Sequence, residues 1–309
     1  MNNNQTASSH TEMTTLRREL DLLRAQQREM YKHTPDAVKQ KLGFTLKGQD
    51  ESQTGQPDFM ATLLAHKKND AQLRRNVRVS LHYKYTWFPV SKVANSSIKY
   101  ALYTAELRPA QRRMVSDTFG KLHDPLYSSL LTGFQIPAES DLFYRAYFSD
   151  EFYRFGFVRH PYARVLSCYL DRVADMQKSV SKEIHRMAQD NLGIDRSPVS
   201  FEEFVQVLTT FDGLHRMNEH YRPCYHELFA GDVPLDFVGR FETLNEDWAT
   251  VRDHLGLDPS ITLGHKHPKP TSAADKLRKY YTPTAKRLVD EIYADDFEAY
   301  GYERDFDAV

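Results

Sequence analysis

A lysine followed by small polar residues, in "SKVANSSIK" (Ser91–Lys99), is a combination that suits a bound phosphate. Lys92 supplies charge, and Asn95, Ser96 and Ser97 supply polar side chains. If the chain turns into a helix here, the backbone N–H groups of Val93, Ala94, Asn95, Ser96 and Ser97 converge on the same point. The order is not that of a Walker A loop, G-x-x-x-x-G-K-[ST], because here lysine leads and glycine is absent. Taken alone, the stretch fits an ordinary strand–helix turn equally well. A second segment, "FGFVRHPYARVLSCYLDRV", repeats the arrangement. Arg159 follows an apolar run, Pro161 stands at a helix start, and Ser167 falls on the second helical turn. Arginine clamps a phosphate with two parallel hydrogen bonds, which lysine cannot do; the competing roles are a helix cap or a carboxylate partner. Two anion sites on two strand-to-helix turns describe a ligand with two separated phosphate groups.

The elements that must position these residues are legible as patterns. Val79–Val90 reads as one strand ending near Pro89, and Phe152–Val158 as a second. Tyr162, Val165, Leu166, Tyr169, Leu170 and Val173 follow helical spacing, which predicts one continuous helix behind Arg159. Ser200 with Glu203 forms a capping signature ahead of another helix. Leu235–Glu242 reads as a third short, buried strand. A C-terminal helix starts at Thr282 and Pro283, with Ala285, Leu288, Val289 and Ile292 on its apolar face. Strands alternating with helices predict an α/β, P-loop-like three-layer fold, a central and mainly parallel sheet flanked by helices.

That domain is expected from residue 76 to 309, behind an extension covering 1–75. The extension begins with a polar tail. Met13, Leu16, Leu20, Leu23 and Met30 then lie on a 3-4 repeat, predicting an amphipathic helix over about 13–31. The pattern leaves open a short coiled coil, hence a homodimer, or a helix packed on its own protein. A polar, Gly- and Pro-bearing linker follows at Leu46–Asp58.

Composition excludes several classes. The 309 residues carry 41 basic and 42 acidic side chains, so the basic excess typical of a nucleic-acid binder is missing. Cys168 and Cys224 are too few for a disulfide framework or a thiolate metal site. Neither a leader-like apolar segment at the N-terminus nor a run of 18 apolar residues occurs, which makes the cytoplasm the expected compartment and a membrane span unexpected.

Three segments, in order, resemble the sulfotransferases that use 3′-phosphoadenosine 5′-phosphosulfate (PAPS), in particular the carbohydrate family of the HNK-1 and chondroitin 4-O-sulfotransferases with its bacterial relatives. "FPVSKVANSSIK" resembles the loop that binds the 5′-phosphosulfate, with Lys92 at the catalytic lysine and Ser96 and Ser97 at the hydroxyl positions. "FVRHPYARVLSCYLDRV" resembles the 3′-phosphate motif and puts Arg159 and Ser167 on that phosphate. "NEHYRPCYHELFAGDVPLDFVGRFETLNEDW" resembles the later block in which N-E-H-W-R-P leads into a strand ending G-[KR]-[YF]-E-T-L. The similarity runs from Tyr83 to Tyr302. There are departures: Ser91 replaces a proline, His160 stands where many relatives carry an acid, Tyr221 replaces tryptophan, and the paired cysteines of the luminal enzymes are missing. These point to a soluble, reducing-compartment relative.

The resemblance implies sulfuryl transfer from PAPS to an acceptor hydroxyl, most naturally on a carbohydrate, without a metal. Lys92 is then the cation at the leaving oxygen, and a histidine or carboxylate takes the acceptor proton. His220, in "NEHYRP", and His123, in "KLHDP", are the two candidates among 13 histidines. Arg222 and Arg240 fit either a ligand contact or an ordinary ion pair, and Glu242 a helix cap. "HKHPKP" (His265–Pro270) reads as an exposed loop or a cover over the nucleotide. The rivals are a P-loop kinase, which lacks its glycine-rich loop here, and a non-catalytic scaffold, which has no need of both phosphate sites.

Overall fold

The computed structural model describes residues 59–69, 72–73, 77–107, 141–263 and 271–309. The expected helix at 13–31, the linker at 46–58, His123 and the 265–270 loop lie outside them. Contacts divide the chain into two units, the larger of which is 55–138 with 143–309.

In chain order the principal elements are α1 (Phe59–Leu64), β1 (Arg78–Ser80), β2 (Tyr85–Phe88), α2 (Asn95–Glu106), α3 (Asp141–Phe148), β3 (Tyr153–Val158), α4 (Pro161–Cys168), α5 (Ser179–Leu192), α6 (Phe201–Leu208), α7 (Cys224–Glu227), β4 (Phe237–Arg240), α8 (Leu244–His254), α9 (Leu277–Tyr280), α10 (Pro283–Ile292) and α11 (Ala294–Ala299). The strands form one sheet in the order β1-β2-β3-β4. β1 is antiparallel to β2, whereas β2–β3 and β3–β4 are parallel, with Phe88 opposite Gly156 and Val158 opposite Arg240. The fold is therefore α/β with a mostly parallel sheet, as the alternation of strands and helices predicts.

Successive strand residues point to opposite faces, so a strand buried at every position is covered on both sides. All four residues of β2 and five of the six in β3 are buried. The same reasoning corrects one expectation. Among the described residues β4 is an edge strand in which only Gly239 is fully buried, and it is shorter than the run 235–242.

A second correction concerns Val79–Val90, which is a hairpin rather than one strand. Residues 81–84, "LHYK", turn the chain, with Lys84 in the left-handed region at φ 54° and Tyr83 N–H donating to Ser80 Oγ at 2.9 Å. The polar His82 and Lys84 and the exposed Leu81 mark the break in an otherwise aromatic run. A third correction lies behind Arg159. The helix expected to run through Val173 is α-helical only to Cys168; Tyr169–Val173 is one π turn, closed by Ala174 N–H donating to Tyr169 O at 2.9 Å. All eight residues of α4 are buried.

Both capping signatures form as read. Ser200 and Glu203 exchange side-chain and backbone hydrogen bonds at the start of α6. Thr282 Oγ1 accepts from Ala285 N–H at 3.0 Å, with Pro283 in the first turn of α10. Each cap satisfies N–H groups that the helix itself cannot.

Candidate active site

The two phosphate-type turns sit at the carboxyl ends of the adjacent parallel strands β2 and β3, where ligands of open α/β sheets bind. After β2 the chain passes through Ser91–Ala94 with Lys92 at φ 69° and Ala94 at φ 47°. Two left-handed residues so close together fold the loop back and start α2 at Asn95. Ala94, at the N-cap, has no side-chain oxygen to cap the helix, and Val93 is buried beneath the loop. The start of α2 is thus left to polar partners from outside the helix. Asn95 Oδ1 is buried and, among the described residues, unpartnered, while Ser96 and Ser97 are half-exposed.

After β3, Arg159 is only 7% exposed, with its guanidinium 4.1 Å from the Phe241 ring centroid. Burial pulls it down to about 10, with Glu242 opposing and Arg164 adding to the effect. Its Nη1 donates to Lys92 O at 3.3 Å, and its buried Nε has no partner among the described residues. Arg164, from the first turns of α4, donates from Nε to Ser91 O at 3.1 Å. The second turn therefore grips the backbone of the first. Ser167, also buried, shares a hydrogen bond with Thr271 at 3.0 Å between their hydroxyls.

The side chain of Lys92 reaches Asp171 Oδ2 at 2.8 Å, in the π turn, where Arg172 Nε lies 3.0 Å from the same oxygen. His220 belongs to this neighbourhood. Burial drives its pKa down to about 4, the charges of Arg172 and Lys92 push the same way, and Glu219 and Asp171 oppose them. Its backbone N–H and its Nδ1 both meet Asn218 Oδ1, at 3.1 and 2.8 Å. A carbonyl oxygen only accepts, so the proton sits on Nδ1 and Nε2 keeps its lone pair. That is the tautomer a proton acceptor requires.

Three residues left open by sequence are settled by their contacts. Glu242 accepts His160 N–H at 2.8 Å, at the N-cap of α4, and takes Tyr302 O–H at 2.9 Å on its other oxygen. It is the capping carboxylate. Arg222 is fully buried, donates twice to Met217 O and pairs with Glu227 at 3.3 Å. Arg240 donates to Tyr300 O and lies over the Tyr302 ring. Among the described residues no group of three His, Cys, Asp or Glu could hold a metal ion, and no helix is long and apolar enough to cross a membrane. Both cysteines are buried and free, and burial pushes the Cys168 thiol up to about 12.

Residues 75–303 match the profile of the sulfotransferase family. The chain belongs to that family. It is 28% identical over 163 residues to carbohydrate sulfotransferase 14 of Danio rerio, covering 49% of this chain and 44% of that protein. It is 26% identical over 247 residues to carbohydrate sulfotransferase 14 of Homo sapiens, covering 74% of this chain and 61% of that protein. With carbohydrate sulfotransferase 10 of Gallus gallus it shares 24% identity over 182 residues, 49% of this chain and 47% of that one. The matched part is thus less than two thirds of each relative's length. No solved structure matches the chain.

In this sulfotransferase-family chain, reading the sequence missed Asp171, Arg172, Arg164 and Thr271. Asp171 carried a usable signal, since it follows Ser167 by four and so falls on the same helical face. Nothing local marks Arg164 as a brace for Ser91 or Thr271 as the partner of Ser167.

Proposed function

We propose that this chain moves the sulfuryl group of PAPS to a hydroxyl of a carbohydrate acceptor, leaving 3′-phosphoadenosine 5′-phosphate (PAP) and a sulfate ester. The observation that carries the reading is the buried Arg159, its Nε unpartnered among the described residues and its Nη1 tied to the backbone of Lys92. One guanidinium at one strand end and one ammonium at the next are what a nucleotide with separate 3′- and 5′-phosphates needs. The relatives are carbohydrate sulfotransferases by name, which supports the acceptor class.

PAPS, when bound, supplies an activated sulfuryl group on a phosphate leaving group. The N–H groups of Val93 to Ser96 and the hydroxyls of Ser96 and Ser97 would hold the 5′-phosphate at the start of α2, whereas Ser97 N–H already donates to Ala94 O at 2.9 Å. Arg159 and Ser167 would hold the 3′-phosphate, beside Thr271, which shares a hydrogen bond with the Ser167 hydroxyl. Lys92 would supply its ammonium to the leaving phosphate oxygen, on which negative charge grows in sulfuryl transfer. His220, neutral and with Nε2 open, takes the acceptor proton. The polyanion beside Lys92 and Arg172 offsets the two cations that depress His220 and makes it a stronger base at the moment it is needed.

Calorimetric titration with PAP, 5′-AMP and ATP tests the donor site. Wild type is expected to bind PAP well above AMP, and Arg159→Ala to lose that advantage, a charge-assisted contact being worth about 1.5–3 kcal/mol. Equal affinity for PAP and AMP in the wild type would refute the assignment.

A further inference from the structure

Asp171 takes no part in the transfer as described, yet it holds the amine that the transfer needs. We propose that Asp171 is a positioning residue that keeps Lys92 in a resting ion pair and yields it to the 5′-phosphate of the nucleotide. The proposal rests on the reading of Lys92 given above.

Three observations carry it. First, the backbone of Lys92 is fixed: Arg159 holds its carbonyl, Arg164 holds that of Ser91, and φ is 69°. The freedom left to Lys92 is in its side chain, which is long enough to move its ammonium between two anions. Second, the pair is partly sheltered, with the Lys92 and Asp171 side chains 13% and 23% exposed, so water does little to weaken it. Third, Asp171 has another cation. Arg172 Nε stands 3.0 Å from the oxygen that Lys92 contacts. When Lys92 leaves, the carboxylate still faces a positive charge, and the usual penalty for stranding a sheltered charge is reduced. The π turn makes this possible by presenting Asp171 and Arg172, adjacent in sequence, to one locus.

A negative charge beside the anion site opposes nucleotide binding, and a Lys92 paired with Asp171 is not available to the nucleotide.

The test uses full-length Asp171→Asn, Lys92→Met, the double variant and Asp171→Glu. PAP affinity is measured by calorimetry, and the reactivity of the Lys92 amine by trace acetic anhydride labelling and mass spectrometry. Asp171→Asn is expected to bind PAP about fivefold tighter, the scale of one half-sheltered ion pair, and to label faster at Lys92. The gain should vanish in the Lys92→Met background, and Asp171→Glu should bind as wild type does. Weaker or unchanged PAP binding in a folded Asp171→Asn, or a gain that survives Lys92→Met, would overturn the latch, as would tightening in Asp171→Glu. A wild type that binds no PAP would instead overturn the donor-site reading itself.

Discussion

His220 owes its chemistry to one neighbour and several charges. Asn218 takes the Nδ1 proton, which leaves Nε2 as the acceptor, and burial with Arg172 and Lys92 nearby brings the pKa down to about 4. A base works in its deprotonated form, so activity is lost as pH falls through the pKa of that group. The acid limb of kcat/KM, which reports the free enzyme, is therefore expected near 4 and not near the 6.5 of an ordinary imidazole. His220→Gln should remove that limb and lower kcat by about 10²–10⁴-fold. A pH–rate series on both proteins with a carbohydrate acceptor decides it. An acid limb near 6.5 that persists in His220→Gln moves the role to another histidine, with His123 the first to try.

At the scale of elements, the site depends on how closely β3 and β4 approach their neighbours. Gly239 sits in β4 where a Cβ would lie 2.4 Å from the Phe157 ring and 3.1 Å from Asp247 Cβ. Phe157 is buried and cannot swing aside. Gly239→Ala should therefore cost about 1–3 kcal/mol in a urea melt, and should shift the β4 end that delivers Glu242 to the α4 N-cap. The strands around this site were legible because their aromatic and β-branched runs stop at a basic residue and a helix start. The hairpin was not, because residues 81–84 carry no Gly, Asn or Pro; Lys84 enters the left-handed region under the pull of strand pairing on either side. The π turn was not legible either. Its apolar residues keep a helical spacing, and one extra residue per turn is chosen by packing around buried Tyr169 and Val173.

Across the described part of the larger unit, a stretch ahead of β1 is pinned by buried polar groups. Lys67 Nζ meets Glu227 Oε2 at 2.8 Å, with both side chains almost wholly buried, and Arg222 approaches the other oxygen. Beside them His66 donates from Nε2 to Asp232 at 2.6 Å and stands Nδ1 to Nδ1 with His226 at 3.2 Å, so a single proton fits between the rings. Burial lowers His226 to about 4, and His66, His215, Lys67 and Arg222 around it push the same way. Burial also lowers His66, against the pull of Asp232. Between about 4 and 6.5 the unfolded chain then binds more protons than the native one, and stability falls as pH falls through that window. Asp296, raised to about 6 by burial, acts with the opposite sign and softens the slope. Urea midpoints at pH 7 and 4.5 should differ less in His226→Gln than in wild type. An equal drop in both would remove this pair as the cause.

The sequence by itself determined the class of fold, the two strand-to-helix turns, the helix caps at Ser200 and Thr282, and the residue types that could hold phosphate. These depend on neighbours within a few positions, where period, capping and turn chemistry act. Only the tertiary structure decided which groups meet. Lys92 and Asp171 are 79 positions apart, Arg159 and the Lys92 carbonyl 67, and Glu242 and His160 82. Contacts at that range come from strand order and register, which place three separate turns at one sheet end. A hydrogen bond there depends on backbone positions that no local pattern encodes.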